Sequence, residues 1–368
     1  LNTTSSGVDV TGSLTTSDEV VAEVVSYAPN QNAPYMIAAT TSYTGATTNV
    51  GTYGYQHRLK LDSNGTSRIT VDGVIGGVET ELWALYGGSN IDVYGSLAVS
   101  DVDIGRGGGG VASNTALGTQ TLANNSTGSG NSATGFQALY SNSTGANNVA
   151  NGFQALYDNS TGANNSATGY QALRSNTTGG NNAASGTVAL YSNTTGGNNA
   201  AIGHQALYSN TTASRNSAMG FQALYSNSTG ANNVANGFQA LYDNSTGANN
   251  SATGYQALRS NTTGGNNAAS GTVALYSNTT GGNNVANGYG ALYSNTTGNN
   301  NVATGFQALL SNTTGRDNVA LGLQALQNNT TGSGNFGAAF RTSSTAYSPV
   351  FDPTTENNRV VMGHTAVT

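Results

Sequence analysis

Asn131-Ser132-Ala133-Thr134-Gly135-Phe136-Gln137-Ala138-Leu139-Tyr140-Ser141-Asn142-Ser143-Thr144-Gly145 is answered seventeen residues later by Asn148-Val149-Ala150-Asn151-Gly152-Phe153-Gln154-Ala155-Leu156-Tyr157-Asp158-Asn159-Ser160-Thr161-Gly162. The glycine of this unit recurs at 118, 135, 152, 169, 186, 203, 220, 237, 254, 271, 288, 305 and 322 without a break, and Asn335, Ala339 and Phe340 stand at the matching places of a degenerate further copy. Residues 136 to 199 reappear letter for letter as 221 to 284, a shift of 85 residues or five whole units. A period of seventeen is too short for helix-turn-helix repeats of roughly 33 to 47 residues. It fits one coil of a β-solenoid or β-roll. Within the unit, Ser132-Ala133-Thr134 alternates as a half-buried strand does and Asn142-Ser143-Thr144-Gly145 reads as a turn. Gln137-Ala138-Leu139-Tyr140 is open between a second strand and a single helical turn, because Gln, Ala and Leu are good helix formers.

The fold class expected is therefore all-β: a rod of about fourteen coils over 114–340, preceded by a small β domain. Stacked coils bring one leucine per unit into a continuous internal column: Leu122, Leu139, Leu156, Leu173, Leu190, Leu207, Leu224, Leu241, Leu258, Leu275, Leu292, Leu309 and Leu326. Leucine alone does not offset the entropy of ordering so many residues. Backbone ladders, stacked asparagines and neighbouring chains are expected to supply the rest, and a parallel homotrimer is the state expected.

Composition points the same way. Gly is 51 of 368 residues, charged residues are 7% and the net charge is −6, far from an average globular mixture. The 19 tyrosines and the strict register argue against disorder. With no Cys there is neither a disulfide nor a cysteine metal site. No stretch approaches the roughly 18 to 20 apolar residues of a membrane span, and a chain whose single lysine is Lys60 carries no basic patch. Nucleic acid and membrane insertion are excluded as partners on this reading. Leu1 is not an initiating methionine, so an upstream segment is expected to be missing.

Ahead of the array, Gly7-Val8-Asp9-Val10-Thr11-Gly12-Ser13-Leu14 and Asn90-Ile91-Asp92-Val93-Tyr94-Gly95-Ser96-Leu97 read as short strands on either side of a module. This divides the chain into a connector over 1–19, a small β domain over 20–89, a connector over 90–113, the array over 114–340 and a C-terminal segment over 341–368. In the small domain, 59–65 and 68–73 read as a hairpin around Asn64-Gly65, and Trp83 is expected to anchor the core. Gly105 to Gly110, with Arg106, reads as a glycine-rich joint. It lacks the Lys-Ser/Thr and helix that a phosphate loop requires.

Asn131-Ser132-Ala133-Thr134-Gly135-Phe136 and Asn199-Ala200-Ala201-Ile202-Gly203-His204 resemble the Asn-Ser-x-Ala-x-Gly repeats in the heads of trimeric autotransporter adhesins, which are left-handed parallel β-rolls in threefold arrangement. The longer unit, Gln205 to Thr212 followed by Ala213 in place of glycine, resembles arrays in phage tail fibres that end in a self-cleaving intramolecular chaperone. Asn358-Arg359-Val360-Val361-Met362-Gly363-His364-Thr365 is similar to the segment leading into that chaperone, so Thr368 would be the processing end. The resemblance covers roughly residues 90 to 368 and departs from the adhesin repeat in unit length. It implies a structural virion protein: a tail fibre, extracellular on the virion tail, that joins other tail proteins at its N-terminal side and presents a surface for a host glycan or protein receptor. A bacterial trimeric surface adhesin and a polysaccharide-degrading tailspike are the rivals.

Two aromatic columns are candidate sites. One follows the glycine: Phe136, Phe153, Tyr170, Phe221, Phe238, Tyr255, Tyr289 and Phe306. The other follows the leucine: Tyr140, Tyr157, Tyr191, Tyr208, Tyr225, Tyr242, Tyr276 and Tyr293. Facing solvent, the tyrosines would stack on receptor sugars; the competing and favoured reading packs them between coils or protomers. Arg174 and Arg259 interrupt the tyrosines and imply partial exposure. His57, His204 and His364 lack metal-ligand spacing and read as incidental. Glu79, Glu81, Asp158 and Asp243 could suggest a glycosidase pair, but the two aspartates merely occupy one position of duplicated units. No catalytic residue, metal or cofactor is expected, and the Asn-x-Ser/Thr triplets are a by-product of turn chemistry.

Overall fold

The computed structural model describes residues 2–4, 7–9, 36–42, 54–61, 67–75, 78–87, 90–92, 97–99, 102–338 and 354–362, with side chains over 104–338 and 354–360. The chain divides into two units, Leu1–Tyr94 and Gly95–Thr368. In the first, Asn2–Thr4 pairs antiparallel with Gly7–Asp9, and Met36–Ser42, Gly54–Leu61, Ser67–Ile75, Val78–Gly87 and Asn90–Asp92 form an antiparallel meander. The hairpin read from the sequence is present as the pairing of Leu61 with Ser67 through Tyr55 with Gly73. Its turn residues, the side chain of Trp83, and those of His57, Lys60, Glu79 and Glu81 lie outside the described residues. Asn90–Asp92, read as part of a connector, is the last strand of this meander.

The second unit is a β-solenoid. Three-residue strands from Thr115–Leu117 to Phe336–Ala338 recur every seventeen residues and pair in parallel, each with its counterpart one unit on, as Ser132 with Val149 and Ala133 with Ala150. Thirteen such steps at roughly 4.8 Å make ~60 Å of stack. In each strand from Thr115–Leu117 to Val319–Leu321 the middle alanine points inward and its neighbours point out; in Phe336–Ala338 the middle place is Gly337. The segment Gln137-Ala138-Leu139-Tyr140 is neither strand nor helix. Gln137 and Leu139 adopt left-handed φ of 55° and 52°, and the amides alternate along the stack axis: Gln137 N–H donates back to Thr119 and Leu139 N–H forward to Ala155. Backbone pairing between coils thus substitutes for a local helix.

The core of a coil holds two alanines, one leucine and two asparagines. Ala133, Ala138 and Leu139 are fully buried, as are their counterparts, and every leucine of the expected column is at most 2% exposed within a single chain. One chain covers its own leucines. The buried asparagines satisfy one another. Asn142 Nδ2 donates to Asn125 Oδ1 of the previous coil at 2.8 Å and to Gly145 O at 3.0 Å, while Asn131 Nδ2 reaches the same carbonyl at 2.9 Å. Asn131 Oδ1 in turn accepts the Asn148 N–H at 2.9 Å.

The first coil of this unit is covered by the segment that precedes it. Leu97–Val99 and Val102–Gly105 form a hairpin whose second strand pairs antiparallel with Thr115–Leu117. The following glycines lie against the first coil: Gly108 N–H donates to Leu122 O at 2.8 Å, and a Cβ on Gly107, Gly108 or Gly109 would sit 2.4 Å from an atom of Leu122, Ala123 or Ser126. The glycine-rich stretch read as a joint is thus a packed cap, with glycines where the backbone comes closest. At the other end Val360–Met362 pairs in parallel with Phe336–Ala338, 24 residues on rather than seventeen. Asn335 Oδ1 accepts the Arg359 N–H at 3.0 Å, so Arg359 stands at the asparagine position and the ladder stops there. Residues 354–362, placed by sequence in a separate C-terminal segment, form the last turn of the solenoid; Thr368 and His364 lie outside the described residues.

Two substitutions test this packing. Gly237 holds φ 142°, and a Cβ there would lie 2.3 Å from Gly254 O; Gly237→Ala is expected to destabilise by at least about 2 kcal/mol. Asn227→Ala, which leaves buried amide partners in two coils unsatisfied, is expected to cost about 1–3 kcal/mol. Chemical denaturation followed by circular dichroism measures both, and a parent-like midpoint for either would refute the ladder account.

Candidate binding face

Outside this core the same register lays side chains in columns. Phe136, Phe153 and Tyr170 stack at 5.3 and 5.2 Å, and His204, Phe221, Phe238 and Tyr255 continue at 5.3, 5.3 and 5.2 Å. His204, read as incidental, belongs to this column. The rings lie nearly parallel, 7° to 18° between planes, because the same backbone repeats at the coil spacing. They are also open to solvent, with Phe153 at 40% and Tyr170 at 50% exposure.

The tyrosine column is more enclosed. Tyr140 stacks on Tyr157, Tyr191 on Tyr208, Tyr208 on Tyr225, Tyr225 on Tyr242 and Tyr276 on Tyr293 at 5.1 to 5.3 Å, all half-buried. Packing between coils, the favoured reading, describes these tyrosines. At its two breaks the stack continues through guanidinium groups: Arg174 lies 5.1 Å from the Tyr157 ring and 5.9 Å from that of Tyr191, and Arg259 repeats this between Tyr242 and Tyr276. A planar cation over a ring face gains electrostatic attraction while one edge stays wet. The partial exposure inferred for these arginines is present at 27% of the side chain.

Between the two columns runs a ladder of glutamines. Gln154 Nε2 donates to Gln137 Oε1 and Gln171 Nε2 to Gln154 Oε1, each at 2.9 Å, and the pattern resumes from Gln205 through Gln256. Sequence reasoning passed over these glutamines as possible helix formers. Their one-per-coil spacing was the available signal.

No family model, curated protein or solved structure matches this chain. The face must be read from its own chemistry. Among the described residues no group of three His, Cys, Asp or Glu lies together, and no helix is long and apolar enough to cross a membrane. Asp158 and Asp243 lie five coils apart, ~24 Å at roughly 4.8 Å per coil, well beyond the roughly 5–9.5 Å between the carboxylates of glycosidases. These two do not form such a pair.

Each aspartate instead faces one arginine at 3.6 Å, Asp158 with Arg174 and Asp243 with Arg259. Both carboxyls are nevertheless pushed above their ordinary value, because partial burial disfavours the charge more than the arginine favours it. The two observations pull in opposite directions, and the long contact, half open to water, is the weaker. Since folding raises these carboxyls, the folded chain holds protons more readily than the unfolded one; the ionised form opposes folding at neutral pH, and that opposition fades as pH falls through the folded carboxyl's range. Asp158→Asn with Asp243→Asn is expected to match or slightly exceed the parent's melting temperature at pH 7 and to lose that advantage near pH 3. A clear fall in melting temperature at pH 7 would show that the ion pairs dominate.

Proposed function

We propose that this chain is the shaft of a phage tail fibre, a structural virion protein that spaces and presents a host receptor-binding surface. The observation carrying the proposal is a solenoid whose polar ladders and ring columns run through successive coils, so that one outward surface is repeated along its length. The resemblance of the unit to tail-fibre arrays supports it. On this reading the N-terminal side meets other tail proteins, the location is the virion tail, and the chain has no enzymatic role. The separated aspartates support a non-enzymatic shaft over a polysaccharide-cleaving tailspike.

Three chains associate in this proposal along the outward strand edge, not to complete a core. Val149 and Val234 stand 45% exposed there and Val285 41%, at the start of strands whose far ends lead into the ring column. Contact along that edge would cover valines and leave the rings facing out. Val149→Lys, Val234→Lys and Val285→Lys in one chain are expected to convert a sedimenting trimer to a monomer with unchanged circular dichroism, whereas a parent that sediments as one chain would sink the trimer. Immunogold labelling of virions tests the fibre itself. Label on tail appendages is the expected result; label confined to the surface of uninfected bacteria would replace the fibre by a cellular adhesin.

A further inference from the structure

Both aromatic columns are interrupted twice, and the interruptions differ. In the tyrosine column the missing ring is replaced by a guanidinium that bridges its neighbours. In the outer column it is replaced by Thr187, between Tyr170 and His204, and by Thr272, between Tyr255 and Tyr289. Threonine is too short to bridge, and both are exposed. Tyr170 is stacked on its far side by Phe153 at 5.2 Å and His204 by Phe221 at 5.3 Å. Their inner faces are therefore open toward each other across two coil steps, about 10 Å at roughly 4.8 Å per coil. One further ring, at the spacing the column already uses, fills that interval.

The same coil breaks the glutamine ladder, because Val188 stands where a glutamine would. Gln171 Nε2 donates to Gln154, and Gln205 Oε1 accepts from Gln222 at 2.7 Å. Their other ends, Gln171 Oε1 and Gln205 Nε2, have no hydrogen-bond partner among the described residues. An acceptor and a donor are thus left on either side of Val188, beside the gap over Thr187. The second gap is less complete: it has Tyr255, Tyr289 and Gln256, but Gly290 replaces the second glutamine.

We propose that the gap at Thr187 is a carbohydrate site that takes one pyranose ring between Tyr170 and His204, with ring hydroxyls bonded to Gln171 and Gln205. The inference rests on the receptor-presenting reading and names its ligand class. A sugar has two C–H faces that suit ring faces and an edge of hydroxyls that both donate and accept. An aromatic side chain from another protein would fill the gap but leave the freed amides unsatisfied, at the cost that unpaired polar groups carry. The gap at Thr272, with one amide, is a weaker copy of the site.

The filling variant tests this directly. Thr187→Tyr with Thr272→Tyr supplies the missing rungs, and its melting temperature, expected at or above the parent's, reports that the fold is intact. The full chain is applied to an array of bacterial surface polysaccharides and of glucose, galactose and N-acetylglucosamine oligomers. The parent is expected to bind at least one, and the double variant at least tenfold more weakly. Thr187→Tyr alone is expected to account for most of that loss. No binding by the parent, or equal binding by a stable double variant, overturns the site. Equal adsorption of parent and variant to whole bacteria overturns it while leaving the receptor-presenting reading standing; adsorption by neither removes that reading as well. Loss of self-association in the variant, with sugar binding unchanged, would assign the gap to an aromatic side chain of a second copy and overturn the carbohydrate proposal.

Discussion

The constraint on which this solenoid depends is that a buried amide must find a partner. Each coil carries two asparagines into a core otherwise made of alanine and leucine, and a buried polar group without a hydrogen bond costs more than a made one returns. Asn142 meets the requirement only because Asn125 and Asn159 lie one coil below and above it. A shift of register at these asparagines would break the bonds of both neighbours. That is the physical reason the period of seventeen is held so strictly, and the reason a duplication of five whole units could be accommodated.

The same coupling explains why so little apolar volume suffices. The core is thin, but backbone amides pair between coils, side-chain amides pair along the axis, and the glycine columns let the coils approach closely. Left-handed φ at Gln137 and Leu139 is unfavourable for residues with a Cβ. It is held by hydrogen bonds to coils on both sides. Order in one coil therefore depends on its neighbours, as expected of quasi-one-dimensional repeats. The first coil is covered by the glycine cap over Leu122, and the asparagine ladder ends where Arg359 stands in place of asparagine.

Function, on this account, is a property of the exterior of a polar-laddered stack. Once backbone and core impose the register, any outward position becomes a column, and its chemistry can be changed coil by coil at little cost to stability. Phenylalanine, tyrosine and histidine interchange in the ring column without altering the stacking distance. Features that differ from the repeat, such as threonine or valine in place of a ring or an amide, are therefore the places to look for specific contacts.

The sequence by itself determined the period, the inward alanine of the strands and the leucine column, because a strict repeat makes every coil report on all the others. It also placed the hairpin between Gly54–Leu61 and Ser67–Ile75. Only the tertiary structure decided that Gln137 to Tyr140 is neither strand nor helix, since the Gln137 and Leu139 amides are satisfied by other coils, about which local propensity has no information, and only the Ala138 amide bonds locally, to Gly135 O. Only it turned Gly107 to Gly109 from a joint into a cap and brought residues 354–362 back into the stack, both consequences of contacts between segments distant in sequence. It also separated the two aromatic columns, one half-buried and one open, a distinction that rests on the path of the backbone around the coil and that no spacing of residues along the chain encodes.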